Sequence, residues 1–287
     1  MLRAYLELLR PANVTTALAD VLAGFAVAGL SNRAALPWLL VSTACLYAGG
    51  VVLNDVFDRE LDRVERPERP IPSGRVMVRH AALLGAGLLG AGIAAAAQAT
   101  GQAATIAMGI GALVLFYDAV GKRHSVVAPI NMGLCRALNL LLGIAAVPGA
   151  LAFSWPLAAI PFVYISAVTT LSRGEVHGGR RGPAMFALVS LTLAWLALLL
   201  IALLSGSRAV PAVVLVVALV WRVLPPFWRA WRTPSPVAIR SAVKRGVLSL
   251  VLVDAIIGAA FAGPAYAAII LATGLVAAWL AGLFAVT

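Results

Sequence analysis

Long runs of apolar residues follow one another along the whole chain and are separated by short polar segments. Each run approaches the ~20 apolar residues that a membrane-spanning helix requires. The runs lie near residues 12–30, 37–57, 80–99, 102–119, 126–147, 155–171, 184–204, 209–224, 246–262 and 265–285. The last three have the least distinct boundaries, so the pattern predicts nine to ten membrane-spanning helices. Residues 1–11 are amphipathic and predict an interfacial helix before the first span.

Composition supports an all-α polytopic membrane protein. Of the 287 residues, 62% are hydrophobic and only 11% are charged, with a mean hydropathy of +0.98. Soluble domains carry about 25% charged residues, so a soluble protein is excluded. Cys45 and Cys135 fall inside apolar runs, which predicts free buried thiols rather than a disulfide framework. We expect one membrane-embedded domain over residues 1–287.

The positive charge is distributed on one side of the predicted bundle. Of the 22 lysines and arginines, 19 fall at the N-terminus or in and beside the loops 58–79, 120–125, 172–183 and 225–245. This bias predicts that these loops and both termini are cytoplasmic. It also explains the net charge of +11 without nucleic acid as a partner. The tryptophans among the arginines of residues 221–231 predict an aromatic belt at the lipid headgroups.

The acidic residues are concentrated in one loop. Six of the eleven lie within residues 54–75, where five arginines accompany them. If the helix continues, Asn54, Asp58 and Asp62 point within about 80° of one another. Oxygen ligands on one face favour a hard cation such as Mg²⁺, with arginines available for phosphate oxygens. A solvated helix end is the alternative.

This loop resembles a known motif. Asn54-Asp55-x-x-Asp58-x-x-x-Asp62, followed by the segment RPIPSG at 69–74, resembles the first Asp-rich motif of the UbiA-type intramembrane prenyltransferases. Arg10-Pro11 and residues 117–129 also resemble family positions. The segment LSRGEVHGG at 171–179 is similar to the EboC-like branch, which is associated with bacterial secondary metabolism.

The resemblance implies a helical bundle around a central chamber that opens to the cytoplasmic side. It implies a prenyl diphosphate donor bound through Mg²⁺, the expected cofactor. Asn54, Asp58 and Asp62 would be metal ligands and catalytic residues, with Asp55 supporting them. Arg59 and Arg63 would face the diphosphate or orient the carboxylates.

A second polar loop carries Arg173, Glu175 and His177. The family places a second pair of aspartates here, and this sequence has none. Glu175 is the only carboxylate and is expected to hold metal and take part in catalysis, because Mg²⁺ prefers oxygen ligands. Arg173 and His177 are expected to bind substrate. A glycine-rich turn with ordinary loop arginines is the alternative.

Further candidates lie around the fourth and fifth predicted spans. Lys122 and Arg123 resemble basic residues that approach the diphosphate, and Tyr117 is a further substrate-binding candidate. Asp118 and Lys122 are also spaced to pair with each other.

Arg136 is an intramembrane charge and is expected to meet the acceptor or the diphosphate. An ion pair between Asp20 and Arg136 that holds the bundle together is the alternative. Asn13 is expected to line the mouth of the chamber.

These features predict an Mg²⁺-dependent transferase that moves an isoprenyl group from an allylic diphosphate to a lipophilic or aromatic acceptor within the bilayer. The alternatives are a related terpene cyclase, a diphosphate-releasing enzyme, or a non-catalytic membrane carrier or export component of a secondary-metabolite pathway. The expected location is a bacterial inner membrane with the active site facing the cytoplasm.

Overall fold

The computed structural model describes residues 2–176 and 178–283, and this part of the chain forms helices without any strand. The helices, in chain order, are α1 (Leu2–Leu9), α2 (Pro11–Val27), α3 (Ala35–Phe57), α4 (Arg59–Glu65), α5 (Val78–Ala99), α6 (Gly101–Ala119), α7 (Val127–Ile144), α8 (Leu151–Ser154), α9 (Ala159–Ser172), α10 (Arg181–Leu204), α11 (Ala209–Arg232), α12 (Pro236–Leu248), α13 (Leu250–Ala262) and α14 (Pro264–Leu283). The predicted all-α fold is confirmed.

The predicted number of spans agrees with the structure. In the described residues, nine helical segments are long and apolar enough to cross a membrane. The first predicted span is the seventeen-residue α2, a shorter apolar helix. Two adjacent helices, α12 and α13, together make one of the nine, and the break between them lies at Ser249, whose N–H bonds the carbonyls of Arg245 and Gly246. The chain is an integral multi-pass membrane protein.

Helices α2 and α7 occupy the centre of the bundle. One apolar core joins them to α9–α14, and another joins them to α3, α5 and α6. They approach closely because both carry glycine at the crossing. A Cβ on Gly24 would lie 2.1 Å from the carbonyl oxygen of Leu140, and a Cβ on Gly143 would lie 2.2 Å from that of Val21. Small residues at such crossings let two membrane helices pack backbone to backbone.

Candidate functional site

A cavity of about 310 Å³ lies between α2, α3, α6 and α7. Its lining residues are Arg10, Asn13, Thr43, Leu46, Tyr47, Gly50, Val51, Asn54, Ile110, Val114, Tyr117, Asp118, Asn131, Met132, Cys135, Arg136 and Asn139. The polar ones form two groups, and apolar side chains lie between them. We call Arg10, Asn13, Asn54, Tyr117 and Asp118 the mouth, because they sit at the ends of their helices. We call Thr43, Tyr47, Arg136 and Asn139 the inner end.

The two groups are separated along the helix axis. Thr43 and Asn54 stand eleven residues apart on α3, and a rise of 1.5 Å per residue places them about 16 Å apart. The cavity is thus long enough to hold a polar head at the mouth and a second polar group at the inner end.

Acidic and amide oxygens converge at the mouth. The Asn54 side-chain amide donates to Oδ1 of Asp118 at 2.7 Å. Asp58 and Lys122 do not line the cavity, but we count them with the mouth because they lie beside it. Asp58 is one turn beyond Asn54, and its Oδ1 is 2.5 Å from the ammonium of Lys122. Oδ2 of Asp118 is buried and has no hydrogen-bond partner in the described part of the chain. An orphaned carboxylate oxygen in such a place is an available ligand position.

The rest of the acidic motif turns away from the cavity. The helix is interrupted at one residue of the motif: α3 ends at Phe57 and α4 begins at Arg59, although the N–H groups of Asp58 and Asp62 still bond the carbonyls four residues back. Asp62 is buried on α4, where it accepts a 2.7 Å bond from Arg69. A ligand role for Asp62 stays a prediction, and it requires that Asp62 exchange Arg69 for a cation.

The same arginine ties the loop to the N-terminus. Arg69 also lies 3.3 Å from Asp55, whose Oδ1 is 2.5 Å from Arg10. Arg10 adopts a left-handed backbone (φ 45°), which costs an L-residue about 1–2 kcal/mol. These three consecutive ion pairs, which run from Arg10 through Asp55 and Arg69 to Asp62, fix Arg10 at the mouth and anchor the loop that follows α4.

Arg69→Gln is expected to loosen the loop that follows α4. The substitution leaves Asp62 buried without its cation, and breaking a buried ion pair costs about 3–5 kcal/mol. Limited trypsin digestion should then cut at Arg63 or Arg66 at least several-fold faster than in the wild type. Arg79→Gln, which removes an exposed arginine just after the same loop and breaks no ion pair among the described residues, is the matched control. Equal cleavage rates for both variants would show that Arg69 does not anchor the loop.

Several predicted diphosphate ligands do not line the cavity. Arg59 and Arg63 both pair with Glu60 at the surface. Arg123 is exposed, and Arg173 is exposed with a 3.4 Å bond to the backbone carbonyl of Lys122. Their substrate roles stay predictions, and they depend on a diphosphate that reaches out of the mouth.

The second loop lies beside the first without joining the oxygen cluster. Glu175 follows α9 in a turn, half-buried, and burial raises the pKa of its carboxyl while Arg240 and Arg66 oppose that rise. Glu175 does not line the cavity. His177 lies outside the described residues. The metal role of Glu175 stays a prediction.

The inner end is a buried polar network. Arg136 donates to Oδ2 of Asp20 at 2.8 Å, and Asn139 donates to the same oxygen at 2.8 Å. Thr43 donates to Oδ1 of Asn139 at 2.7 Å. Arg136 also lies 5.5 Å above the ring of Tyr47. Arg136 therefore forms the ion pair with Asp20 that holds the bundle together, and it also lines the cavity, where the predicted contact with a substrate requires it.

The mouth residues suit Mg²⁺ by their chemistry. No three His, Cys, Asp or Glu side chains come together in residues 2–176 and 178–283. The oxygen set at the mouth instead combines two carboxylates, Asp58 and Asp118, with the amide of Asn54. Mg²⁺ is held by one or two carboxylates together with water and substrate phosphates, which this set permits.

Sequence reasoning missed Asp118 as a site residue. Its spacing from Lys122 suggested a helical pair, but Lys122 contacts Asp58 and Asp118 contacts Asn54. An acid at the very end of a membrane span was the available signal, because such residues are costly unless they are used. Tyr47 gave no signal, since an aromatic residue in a span is ordinary.

Comparison with known proteins places the chain among prenyltransferases. The model of the UbiA prenyltransferase family matches residues 14–249. A digeranylgeranylglyceryl phosphate synthase of Ignicoccus hospitalis is 34% identical over 184 residues, which cover 62% of this chain and 58% of that protein. The synthase of Methanopyrus kandleri is 47% identical over 88 residues, which cover 30% and 32%. The chain thus matches less than two thirds of the length of these relatives.

Solved structures share the fold. The apo structure of a UbiA homologue from Aeropyrum pernix K1 aligns with a TM-score of 0.67 at 18% identity, covering 86% of this chain and 96% of that one. A homologue from Archaeoglobus fulgidus bound to DMAPP and Mg²⁺ aligns with a TM-score of 0.51 at 18% identity, covering 95% and 98%. At these identities the likeness establishes the fold alone.

Proposed function

The chain belongs to the UbiA prenyltransferase family, and from this premise we propose that it transfers an isoprenyl group from an allylic prenyl diphosphate to a lipophilic acceptor inside the membrane. One observation carries the proposal: the cavity has an oxygen cluster at its mouth, and Oδ2 of Asp118 there is buried and has no partner among the residues that the structure describes. A carrier that alternates between two sides has no need for hard-cation ligands gathered at one end of its binding site.

Two kinds of mouth residue would hold the diphosphate: oxygen ligands for Mg²⁺ and cationic side chains. Asn54, Asp58 and Asp118 would hold Mg²⁺, which neutralises the diphosphate as the allylic C–O bond breaks. Lys122 lies within 2.5 Å of Asp58 and would turn its ammonium to the same leaving group. Arg10 is fixed at the mouth by Asp55 and presents a second cation there. Positive charge placed in advance where negative charge develops lowers the barrier.

The wall between the two ends protects the reacting carbon. Leu46, Gly50, Val51, Ile110 and Val114 line it, and none carries a polar side-chain atom. An allylic cation formed there meets little water, so that capture by the acceptor outcompetes hydrolysis. The bundle lies in the bilayer, so a long isoprenyl chain and a lipophilic acceptor can enter from the side.

The relatives suggest one acceptor class. Two of them are named as synthases of digeranylgeranylglyceryl phosphate, so a glyceryl lipid is a candidate acceptor beside the aromatic ones that the sequence favours. The relatives named above are archaeal, and the sequence likeness to the EboC-like branch points to bacteria. We keep the predicted orientation, with the mouth and both termini on the cytoplasmic side.

The test is a transfer assay with purified protein. Radiolabelled geranylgeranyl or farnesyl diphosphate is offered with Mg²⁺ and a panel of aromatic and glyceryl acceptors. We expect a prenylated product that requires Mg²⁺ and falls at least about 100-fold in Asp58→Asn, because a carboxylate that holds the metal is lost. Diphosphate release without an acceptor would instead indicate cyclisation or hydrolysis. Binding of the donor without turnover would indicate a carrier.

Glu175→Gln tests the second half of the metal site. If Glu175 holds a second Mg²⁺, the Mg²⁺ concentration for half-maximal rate should rise about tenfold or more. Gln keeps the shape and removes the charge, so the half-buried turn should stay folded. Arg240→Gln, which removes a charge that interacts with Glu175, is the companion variant. An unchanged Mg²⁺ requirement in Glu175→Gln would eliminate Glu175 as a metal ligand.

A further inference from the structure

Three ionisable groups lie at and behind the inner end of the cavity, and their charges must balance. Of the three, only Arg136 lines the cavity itself. Asp20, Arg136 and Asp254 are all buried, on α2, α7 and α13. Oδ1 of Asp20 and both oxygens of Asp254 are sealed from the surface and receive no hydrogen bond from the described residues. One guanidinium cannot compensate two carboxylates, and an uncompensated charge in so apolar a place costs several kcal/mol.

A single proton on the two acids resolves this arrangement. Asp20 already has the guanidinium of Arg136 at 2.8 Å, whereas Asp254 forms no ion pair or hydrogen bond through its side chain among the described residues. A proton on Asp254 therefore removes the surplus charge, because a buried carboxylate without a partner is costly. One negative charge then remains opposite the one positive charge of Arg136. The inner end is therefore polar and has no net charge.

Free donors at the inner end point into the cavity. Two nitrogens of Arg136 are engaged, Nη1 with Asp20 and the carbonyl of Thr16, and Nη2 with the hydroxyl of Thr16. Its Nε meets no acceptor among the described residues, and the side chain lines the cavity. The ring of Tyr47 lies beneath the guanidinium and also lines the cavity. Its hydroxyl has no partner in residues 2–176 and 178–283.

We propose that this inner end is the acceptor subsite, and that it selects a neutral acceptor with a hydroxyl or carbonyl oxygen over one that carries a phosphate or a carboxylate. The proposal rests on the proposed transfer reaction and names the substrate class of that same site. The Nε–H of Arg136 and the hydroxyl of Tyr47 can both donate to one neutral oxygen of the acceptor. An anion would add an unbalanced charge, because Asp20 already compensates Arg136.

The distances along α3 agree with this placement. Tyr47 and Asn54 are seven residues apart, which is about 10 Å of helix. A donor held by its diphosphate at the mouth places its reacting carbon between them. A six-membered ring whose polar substituent meets Arg136 and Tyr47 can reach that carbon with its other side. The mouth and the inner end thus discriminate by charge, the mouth accepting the anion and the inner end the neutral group.

The test compares two phenols that share a ring and differ in charge, 4-hydroxybenzamide and 4-hydroxybenzoate. For the wild type we expect kcat/KM to favour the neutral amide at least tenfold. Replacing both acids, Asp20→Asn together with Asp254→Asn, leaves Arg136 uncompensated, so the ratio should move at least tenfold toward the anionic acid. Adding Arg136→Gln makes the inner end uncharged again, and the preference for the amide should return. Glu65→Gln, which removes an exposed carboxylate, is the control.

Binding of the phenols in the absence of a prenyl diphosphate tests the proposed acceptor subsite independently of prenyl transfer. The rise in unfolding temperature that each phenol causes, measured over a range of concentrations, gives the ratio of the two dissociation constants when no transfer is seen. We expect this ratio to favour the same phenol as kcat/KM does. Geranylgeranylglycerol and its phosphate form a second pair, should neither phenol bind. If the variant without both acids does not purify as a folded protein, Arg136→Gln carries the test and should weaken binding of the neutral member at least tenfold. A wild type that prefers the anion, or a ratio that does not move when both acids are replaced, would overturn the proposal even where transfer is confirmed.

Discussion

Asp118→Asn is expected to lower kcat for prenyl transfer by at least about 100-fold, as loss of a metal-holding carboxylate does. Asp118 is buried at the mouth, and its Oδ1 already accepts from Asn54, so only Oδ2 is available to a cation. An amide at this position keeps the shape and removes the charge. The Mg²⁺ concentration for half-maximal rate should rise as well.

The measurement is a Mg²⁺ titration of the initial rate at saturating donor. Glu68→Gln is the matched control, because it removes an exposed carboxylate from the nearby loop. Its rate and Mg²⁺ requirement should equal those of the wild type. If Asp118→Asn retained a rate within threefold of the wild type, Asp118 would be a structural partner of Asn54 and nothing more.

Gly24→Ala is expected to have the largest effect on stability. Its methyl group would lie 2.1 Å from the carbonyl oxygen of Leu140 and 2.9 Å from Cα of Gly143, so α2 and α7 must move apart. Both neighbours are backbone, which cannot rotate away as a side chain can. Overpacking of a close-packed core costs about 1–3 kcal/mol, and a clash with backbone on both sides places this site at the upper end. The Asp20–Arg136 pair bridges the same two helices and should be stretched with them.

Thermal unfolding in detergent measures this cost, with Gly87→Ala as the control. Gly87 lies on α5 and has open space around its Cα, so alanine there should be neutral or slightly stabilising through helix propensity. We expect a clear fall in unfolding temperature for Gly24→Ala alone. Equal unfolding temperatures would mean that the two helices do not cross as closely as the structure has them.

The apolar runs were sufficient to predict the fold. A span is defined by the composition of about twenty consecutive residues, so its presence is a local property of the sequence. The ends of spans were harder to predict. The break between α3 and α4 at Asp58 falls inside a motif whose spacing suits a continuous helix, and Asp62 beyond it is held by Arg69 and does not line the cavity.

The site could be predicted only in part, for a physical reason. Asn54 and Asp58 stood out because charge and amide at a membrane boundary are rare. Their partners depend on tertiary packing: Asp118 meets Asn54 across 64 residues, and Arg136 meets Asp20 across 116. Spacing along one helix cannot reveal such pairs. The Asp20–Arg136 pair was accessible as an alternative only because unpaired charges inside a membrane are unlikely to persist.

The lining of the cavity has a consequence for how the family can diversify. Every lining residue of the cavity falls within residues 10–139. Among the described residues, α8–α14 lie outside this lining, and of these helices α9–α14 support α2 and α7 from behind. Chimeras that exchange residues 150–283 between homologues that share Glu175 and Asp254 should therefore keep the substrate choice of their N-terminal parent, while inheriting much of their heat tolerance from the other. Substrate specificity and thermal stability could then change independently of each other during evolution, because they depend mainly on different segments of the protein.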